Sequence, residues 1–375
     1  MRVAQVIGRL NAGGVEAVVN NYYRHADVGK LQFDYYIDED SETAPSAEMQ
    51  ALGARYFVVP STRHPIRRVR ALTKLFREHR YPIVHAHMNT LNAPVLYAAW
   101  RAKVPVRIGH NHSTASAKEW TRNALKQLLR GTGGWFATVK MACGEAAGRW
   151  FFGNRAFDRG DVVVLPNAVD LSAYRFDPDF RRRFRDAAGV GGRPVVGHAG
   201  RFMTQKNHGF LLEIFAAVLK KRPDAALWLV GDGEERPRIE QKARELDIAN
   251  HVTFWGVRGD LNKIYSAMDC LLLPSLYEGL PLVGVEAQAA GLPCFFADTI
   301  SREVGILENA RFIPLDAPPE RWAQAIVEGM PVPDDQRISA AAAMKGGPFD
   351  LDASGRMLQD LYEKLCPRTE SGIVP

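Results

Sequence analysis

Cysteine is scarce in this 375-residue chain, and the four present, Cys143, Cys270, Cys294 and Cys366, are far apart with no C-x-x-C pair. That spacing argues against a disulfide framework or a zinc knuckle, and buried thiols in a reducing compartment are expected. No apolar run approaches the roughly 20 residues a membrane-spanning helix needs. The opening MRVAQVIGRLNAGG lacks a signal-peptide h-region and cleavage pattern, so a cytoplasmic protein is expected. Gly8 and Gly13-Gly14 do not make G-x-G-x-x-G, which disfavours a dinucleotide-binding dehydrogenase, and no G-x-x-x-x-G-K-[ST] is present for phosphoryl transfer. His85, His87, His110 and His112 cluster at two strand ends without H-E-x-x-H or an adjacent carboxylate, so polar lining is preferred to a metal site. Asp38-Glu39-Asp40 is acidic but follows a strand and reads as a solvated loop.

What is present is an ordinary globular composition, 46% apolar and 24% charged, at a length that favours two domains. The net charge of +6 is uneven: residues 1–165 carry +10 and the remainder −4. The basic half suggests an anionic partner. Short apolar runs at Val3–Ile7, Phe33–Ile37, Tyr56–Val59, Ile83–Ala86, Val106–Gly109 and Thr138–Ala142 alternate with helical spacing, as in Pro65–His79 and Leu91–Arg101. That alternation predicts an α/β unit with a mostly parallel sheet. A polar and basic stretch at 166–193 reads as a connection. The alternation restarts at Pro194, with strands at Val195–Ala199, Ala226–Val230, Val252–Trp255, Cys270–Pro274 and Pro293–Phe296. Leu351–Leu365 has the spacing of an amphipathic helix, set off by Gly346-Gly347-Pro348.

Chemistry concentrates at strand ends. PSLYEGLPLVGVEAQAAGLP, residues 274–293, follows a strand. Gly279 eases the turn and Pro281 suits a helix start. Amides near Leu280, Leu282 and Val283 then face an anion at the helix N-terminus. Glu278 and Glu286 frame this turn, as acceptors for sugar or ribose hydroxyls, although the dipole alone favours an early Glu. GHAGRFMTQKNH, 197–208, supplies Arg201 and Lys206, a cation pair suited to a diphosphate, or else two solvated side chains. Gly231 and Gly233 in LVGDGEE permit close backbone approach, and the loop at Gly256, Val257 and Arg258 offers a seat for a flat base.

These segments resemble retaining glycosyltransferase family four. Glu278 to Glu286 is similar to its E-x7-E spacing and GRFMTQKNH to its G-R-x4-K stretch. GDGEE, WGVRGD, GGVE and LPNAVD fall in the same order over nearly the whole chain, most like bacterial enzymes that build capsular or exopolysaccharide. The resemblance implies the GT-B fold, two Rossmann-like domains facing across a cleft. Residues 1–165 would bind the acceptor and 166–348 the nucleotide-sugar, with 166–193 as connection. Residues 349–375 would pack back on the first domain. It implies that Arg201 and Lys206 hold the diphosphate, Glu286 the ribose and Glu278 the sugar hydroxyls. Leu280, Pro281 and Leu282 would line the phosphate turn, Gly231 would lie near the donor, Val257 near the base and Gly14 near the phosphate. His110 matches a position close to the reacting sugar. Transfer with retention, from a UDP-sugar for preference, and without a metal or other cofactor is the implied chemistry.

The acceptor implied is a glycan or a lipid-linked glycan. Residues 63–80 hold seven Lys/Arg and one Glu, and 118–140 interleave cations with Trp120, Trp135 and Phe136. Such stretches suit an anionic membrane surface, or are simply solvated. No nucleic-acid motif is present. Another GT-B enzyme, such as an epimerase or phosphorylase, and a non-catalytic nucleotide-sugar-binding assembly protein remain the alternatives.

Overall fold

A computed structural model describes residues 1–10, 14–112 and 134–366. The chain divides into two units: Met1–Ala168 together with the final helix Leu351–Leu365, and Val169–Asp350. Unit 1 contains strands β1 (Arg2–Gly8), β2 (Gln32–Asp38), β3 (Arg55–Val59), β4 (Ile83–Ala86), β5 (Val106–Asn111), β6 (Val139–Ala142) and β7 (Val162–Val164). They form one sheet in the order 3-2-1-4-5-6-7. Unit 2 contains β8 (Val195–Ala199), β9 (Ala226–Val230), β10 (Val252–Gly256), β11 (Cys270–Leu273), β12 (Cys294–Ala297) and β13 (Ala310–Ile313), in the order 10-9-8-11-12-13. Neighbouring strands run parallel in both sheets. The strand order reverses between β1 and β4 and between β8 and β11, the places where open sheets of this kind bind ligands.

The sequence explains this layering. β4, β8, β9, β11 and β12 are buried at every residue. Continuous apolar runs such as ALWLV are what a parallel strand covered on both faces needs. The helix Pro65–His79 starts with proline in its first turn and stops at Arg80, whose φ of 47° is left-handed. It turns Leu72, Thr73 and Phe76 inward and leaves Arg67, Arg70 and Lys74 exposed. In unit 1 the aromatic rings of Tyr23, Phe33 and Tyr35 pack together, and Tyr362 of the final helix meets Phe33 edge-on.

Three expectations are corrected. The stretch 166–193 is not only a connection: it holds the helix Pro178–Ala187, capped by Asp177, which accepts from the Phe180 amide at 2.8 Å. Phe184 from this helix packs against Trp228 and Trp255, so the segment is part of unit 2. Its arginines hid the helix from apolar periodicity. Unit 2 also has β13 and the helices Pro319–Glu328 and Asp334–Met344, which the sequence reading did not assign. Asp38 is not solvated: it ends β2, buried in an ion pair with Arg68, and burial raises its carboxyl above the ordinary range. Arg68 is thereby the one cation of the 63–80 stretch that faces inward among the buried residues. The reading of residues 118–133, like Gly13, lies outside the described residues.

At the opposite end of the second sheet, Asp269 is the buried anchor. It accepts from the Val195 amide at 2.8 Å and from Arg185 at 3.0 Å, and it pairs with Arg181. Arg185 also donates to the carbonyls of Ala267 and Gly191. Removing the carboxylate would leave Arg185 buried without its counter-charge. Asp269→Ala is expected to cost about 3–5 kcal/mol of unfolding free energy. Urea titration of the variant should show this, and a loss below about 1 kcal/mol would contradict the anchoring role.

Candidate functional site

The first cluster lies past the C-terminal ends of β8 and β11, the switch point of unit 2. β8 runs into Gly200, Arg201 and the short turn Thr204–Lys206, then the helix His208–Lys221. β11 runs into Pro274 and Ser275, reaches Glu278, and opens the helix Leu282–Ala289. The two loops are tied together. Leu276 donates its amide to Gln205 O at 2.9 Å, Gln205 donates to Tyr277 O at 2.9 Å, and Asn207 donates to Pro274 O at 3.1 Å. These bonds bring Lys206 onto Glu278, Nζ lying 2.9 Å from each carboxylate oxygen. The two side chains are only 13% and 9% exposed, so their attraction is little screened. Ser275 donates its hydroxyl to Glu278 Oε1 at 2.6 Å. Arg201, by contrast, is exposed, and among the described residues no ion pair holds it.

The neighbouring loops complete the rim. Gly231 has a φ of +136°, and a Cβ there would lie 2.0 Å from Gly200 O. The close approach foreseen for this glycine is therefore to the backbone of the adjacent loop. Gly231 donates its amide to Gly256 O at 2.8 Å, and Phe202 donates to Asp232 O at 2.9 Å. Val257 projects beyond β10 and is 82% exposed. Pro281 is the N-cap of the helix Leu282–Ala289 and is buried, with Leu280 and Leu282 partly exposed beside it. The first amides of that helix have no acceptor within the helix, which leaves them for an anion. Glu286, one turn in, accepts from Tyr265 OH at 2.9 Å. Burial raises its carboxyl, and hydrogen bonds from Tyr265 and Tyr174 offset part of the rise.

The second cluster is in unit 1, at the C-terminal ends of β4 and β5. His85 lies in β4 between Val84 and Ala86 and His87 just past its end, and His110 lies in β5 with His112 just past its end. His85 Nε2 is 3.2 Å from His110 Nδ1 and His87 Nδ1 is 2.9 Å from His112 Nε2. Tyr362 OH lies 2.6 Å from His85 Nδ1, and Gln5 Oε1 lies 2.8 Å from His87 Nε2. Burial drives His85, His87 and His110 well below the ordinary imidazole range and His112 down to about 4. All four rings are neutral at pH 7. Gly14 begins the first helix, Gly14–Arg24, and lines a pocket of about 230 Å³ with Arg9, Glu16, His87 and Asn89. Burial raises the Glu16 carboxyl.

The expected residues thus gather in two places, Arg201, Lys206, Glu278, Leu280, Pro281, Leu282 and Glu286 in unit 2 and Gly14 and His110 in unit 1. Sequence reasoning passed over the side chains that hold them: Ser275 under Glu278, Tyr265 and Tyr174 on Glu286, and Gln5 and Tyr362 behind the histidines. Ser275 had a signal, being three residues before Glu278 in one turn. The others come from distant chain positions and had none.

Two family models match the chain: one described as glycosyl transferases group 1 over residues 193–330, the other as glycosyl transferase 4-like domain over residues 13–168. EpsF of Bacillus subtilis, which carries the name of a glycosyltransferase, is 35% identical over 332 residues, 87% of this chain and 86% of that one. An Escherichia coli enzyme named UDP-Gal:alpha-D-GlcNAc-diphosphoundecaprenol alpha-1,3-galactosyltransferase is 27% identical over 278 residues, 68% of this chain and 70% of that one. Among solved structures, Anabaena HepE in complex with UDP and glucose superposes with a TM-score of 0.79 at 20% identity, over 97% of this chain and 99% of that one.

The buried imidazoles fix a pH dependence. Below about pH 6.5 the unfolded chain takes up a proton on His112 that the folded chain refuses until about pH 4, and His85, His87 and His110 are shifted in the same direction. Acid therefore favours unfolding, and stability should fall as pH drops from about 6.5 toward 4, by up to about 1.4 kcal/mol per pH unit for each such ring. Glu16, Asp38 and Glu286, with their raised carboxyls, act in the opposite sense and are fewer than the buried imidazoles. His112→Gln is expected to flatten the slope of unfolding free energy against pH. An unchanged slope in urea titrations between pH 4.5 and 7 would contradict the neutral buried state.

Proposed function

This chain belongs to the group 1, GT4-like glycosyltransferases and has their GT-B fold, and from that premise we propose that it transfers a sugar from a nucleotide-diphosphate sugar, a UDP-sugar for preference, to a glycan or lipid-linked acceptor in cell-surface polysaccharide biosynthesis. The observation that carries the reading is the Lys206–Glu278 pair at the unit 2 switch point, with Arg201 exposed beside it and a helix N-terminus opening at Leu282. A diphosphate needs fixed positive potential both when bound and when it departs. Arg201 and the amides of Leu282 and Val283 supply it. Lys206, already neutralised by Glu278, adds less net charge than a free lysine. It holds the Glu278 carboxylate in place as an acceptor for sugar hydroxyls. Glu286, fixed by Tyr265, is the acceptor proposed for the ribose, and Val257 the seat of the base.

The proposed mechanism is front-face displacement with retention. The bond from the anomeric carbon to the diphosphate oxygen breaks, and that oxygen helps take the proton of the attacking hydroxyl while the acceptor oxygen bonds on the same face. The charge gathering on the diphosphate meets preorganised donors, and no metal is invoked. HepE binds UDP and glucose and the Escherichia coli enzyme is named for UDP-galactose, which supports the UDP preference. The name of that enzyme includes a diphosphoundecaprenol acceptor, which supports a lipid-linked one here.

A membrane surface is the second proposed partner. Ile66, Val69, Leu91, Tyr97, Trp135 and Phe136 line an open apolar groove of about 660 Å³ in unit 1. Ile66 is 67% and Trp135 72% exposed, and Arg63, Arg67, Arg70, Lys74, Arg77 and Arg101 are exposed on the same two helices or just before them. Apolar side chains ringed by cations suit the boundary of an anionic lipid leaflet. Among the described residues, no helix is long and apolar enough to cross a membrane.

Arg201→Ala tests the donor site cleanly because, among the described residues, the side chain supports no other group. Turnover of UDP-sugar should fall by about 100-fold or more with an unchanged melting temperature, and near-wild-type turnover would remove Arg201 from the site. For the surface, wild-type protein should co-sediment with phosphatidylglycerol-containing vesicles and not with neutral ones. Ile66→Asp combined with Trp135→Ser should abolish this. No co-sedimentation of the wild type at low salt would refute the membrane partner.

A further inference from the structure

The N-terminal ends of β8 and β11 open on a cavity of about 560 Å³ in unit 2, between the helix Pro178–Ala187, Pro194 and the start of the helix Asp334–Met344. Small-molecule sites typically measure about 300–1,000 Å³. The Lys206–Glu278 cluster is at the other end of the same sheet. Arg181 and Arg185, about one helical turn apart, form the floor of the cavity with Asp269. Behind them is the buried Arg337. The three guanidiniums close the C-terminal end of the helix Leu261–Ala267. Arg337 donates to Tyr265 O, Arg181 to Ser266 O and Arg185 to Ala267 O, and both Arg181 and Arg337 donate to Met268 O.

Those carbonyls explain where the arginines sit but do not balance their charge. A helix C-terminus offers roughly half a negative charge. Among the described residues, Asp269 is the one carboxylate paired with the set. Three positive charges thus meet one full negative charge where little water screens them. Burial and the nearness of Arg181 pull the Arg337 guanidinium down to about 9, which leaves it charged at pH 7. Asp186 and Asp334 also line the cavity, but both are exposed and screened by solvent. The donors are not exhausted either. A guanidinium has five N–H groups. Arg181 directs two from Nη1 to carbonyls and one from Nη2 to Asp269. Among the described residues no acceptor meets its Nε–H or its second Nη2–H, and its side chain is 20% exposed. Such donors match the oxygens of a phosphate group.

We infer that this cavity binds a phosphorylated sugar, with the phosphate on the two free N–H groups of Arg181 and the sugar hydroxyls donating to Asp186 and Asp334. A phosphate monoester carries about −1.5 to −2 charges at pH 7, which offsets the excess at the floor. Carboxylates accept from hydroxyls, so the two exposed acids suit the sugar rather than the phosphate. Pro178, Pro194 and Met330 give the carbon skeleton apolar walls. Arg182 and Arg222 stand on the rim in exposed pairs with Asp179 and Asp224, and pairs of this kind are weak enough to be exchanged for a ligand. The occupant is a second ligand, separate from any bound at the Lys206–Glu278 cluster, and its binding does not depend on the activity proposed above.

Isothermal titration calorimetry of the full-length protein with glucose 6-phosphate tests this. Saturable binding is expected with a Kd of about 1 mM or tighter. It should persist in saturating UDP, be weaker for inorganic phosphate and be absent for glucose. Arg181→Lys keeps the charge beside Asp269 but removes the planar fork, and should weaken binding by about tenfold or more. Arg182→Ala combined with Arg222→Ala alters only the rim, so its melting temperature should be unchanged while its affinity for glucose 6-phosphate falls. Asp186→Asn combined with Asp334→Asn should erase the preference for glucose 6-phosphate over inorganic phosphate. No saturation with the wild type, displacement by UDP, equal affinity for glucose 6-phosphate and inorganic phosphate, or full binding by the rim variant would each overturn the site.

Discussion

A parallel sheet covered on both faces has no polar face to offer, and each sheet here places its chemistry in the loops beyond its strands' C-terminal ends. β4, β8, β9, β11 and β12 are buried throughout. Polar groups reach a ligand only where a strand stops. The reversal of strand order then parts two neighbouring loops and leaves room between them. Arg201, Lys206 and Glu278 surround one such reversal, and the four histidines surround the other. Gly231 shows how tightly the constraint is met, since the carbonyl of Gly200 occupies the space a side chain would need.

Local charge and regional charge are separate matters in this molecule. Residues 166–375 are mildly acidic as a whole, yet their switch point concentrates an exposed arginine and a helix N-terminus. The partly buried lysine there is matched by a carboxylate at 2.9 Å, which makes it a fixed dipole more than a free cation. In the basic first half, the cations are divided. Arg68 is spent inside on Asp38, and the rest of its helix points its arginines outward around Ile66. A sum of charges could not distinguish these uses, because it carries no information on burial.

Much of the fold was legible in the sequence because apolar runs in parallel strands are continuous and the intervening helices are amphipathic. The unit 2 site was legible for a related reason: its residues follow strand ends directly, so Lys206 and Glu278 could be placed in loops without knowing that they touch. What stayed hidden depends on distance along the chain. Gln5 and Tyr362 are 357 residues apart, and nothing in either neighbourhood announces the other. The helix Pro178–Ala187 was hidden by composition, since its arginines donate inward to Asp269 and to backbone carbonyls where apolar residues would be expected. Asp38 was misread because its partner comes from the next helix but one.

Unit 1 is completed by a helix that the chain reaches only after all of unit 2. A ribosome therefore releases the 169–350 segment, with everything its sheet needs, while the first sheet still lacks Leu351, Leu358 and Tyr362 from its core. Domains tend to fold as they emerge. The order of assembly is then the reverse of the order of synthesis: the second unit can close first, and the first stays open along the flank where Phe33 and the histidines wait for Tyr362. A growing chain is thus exposed at its oldest part for longest, and that is where a chaperone would find apolar surface.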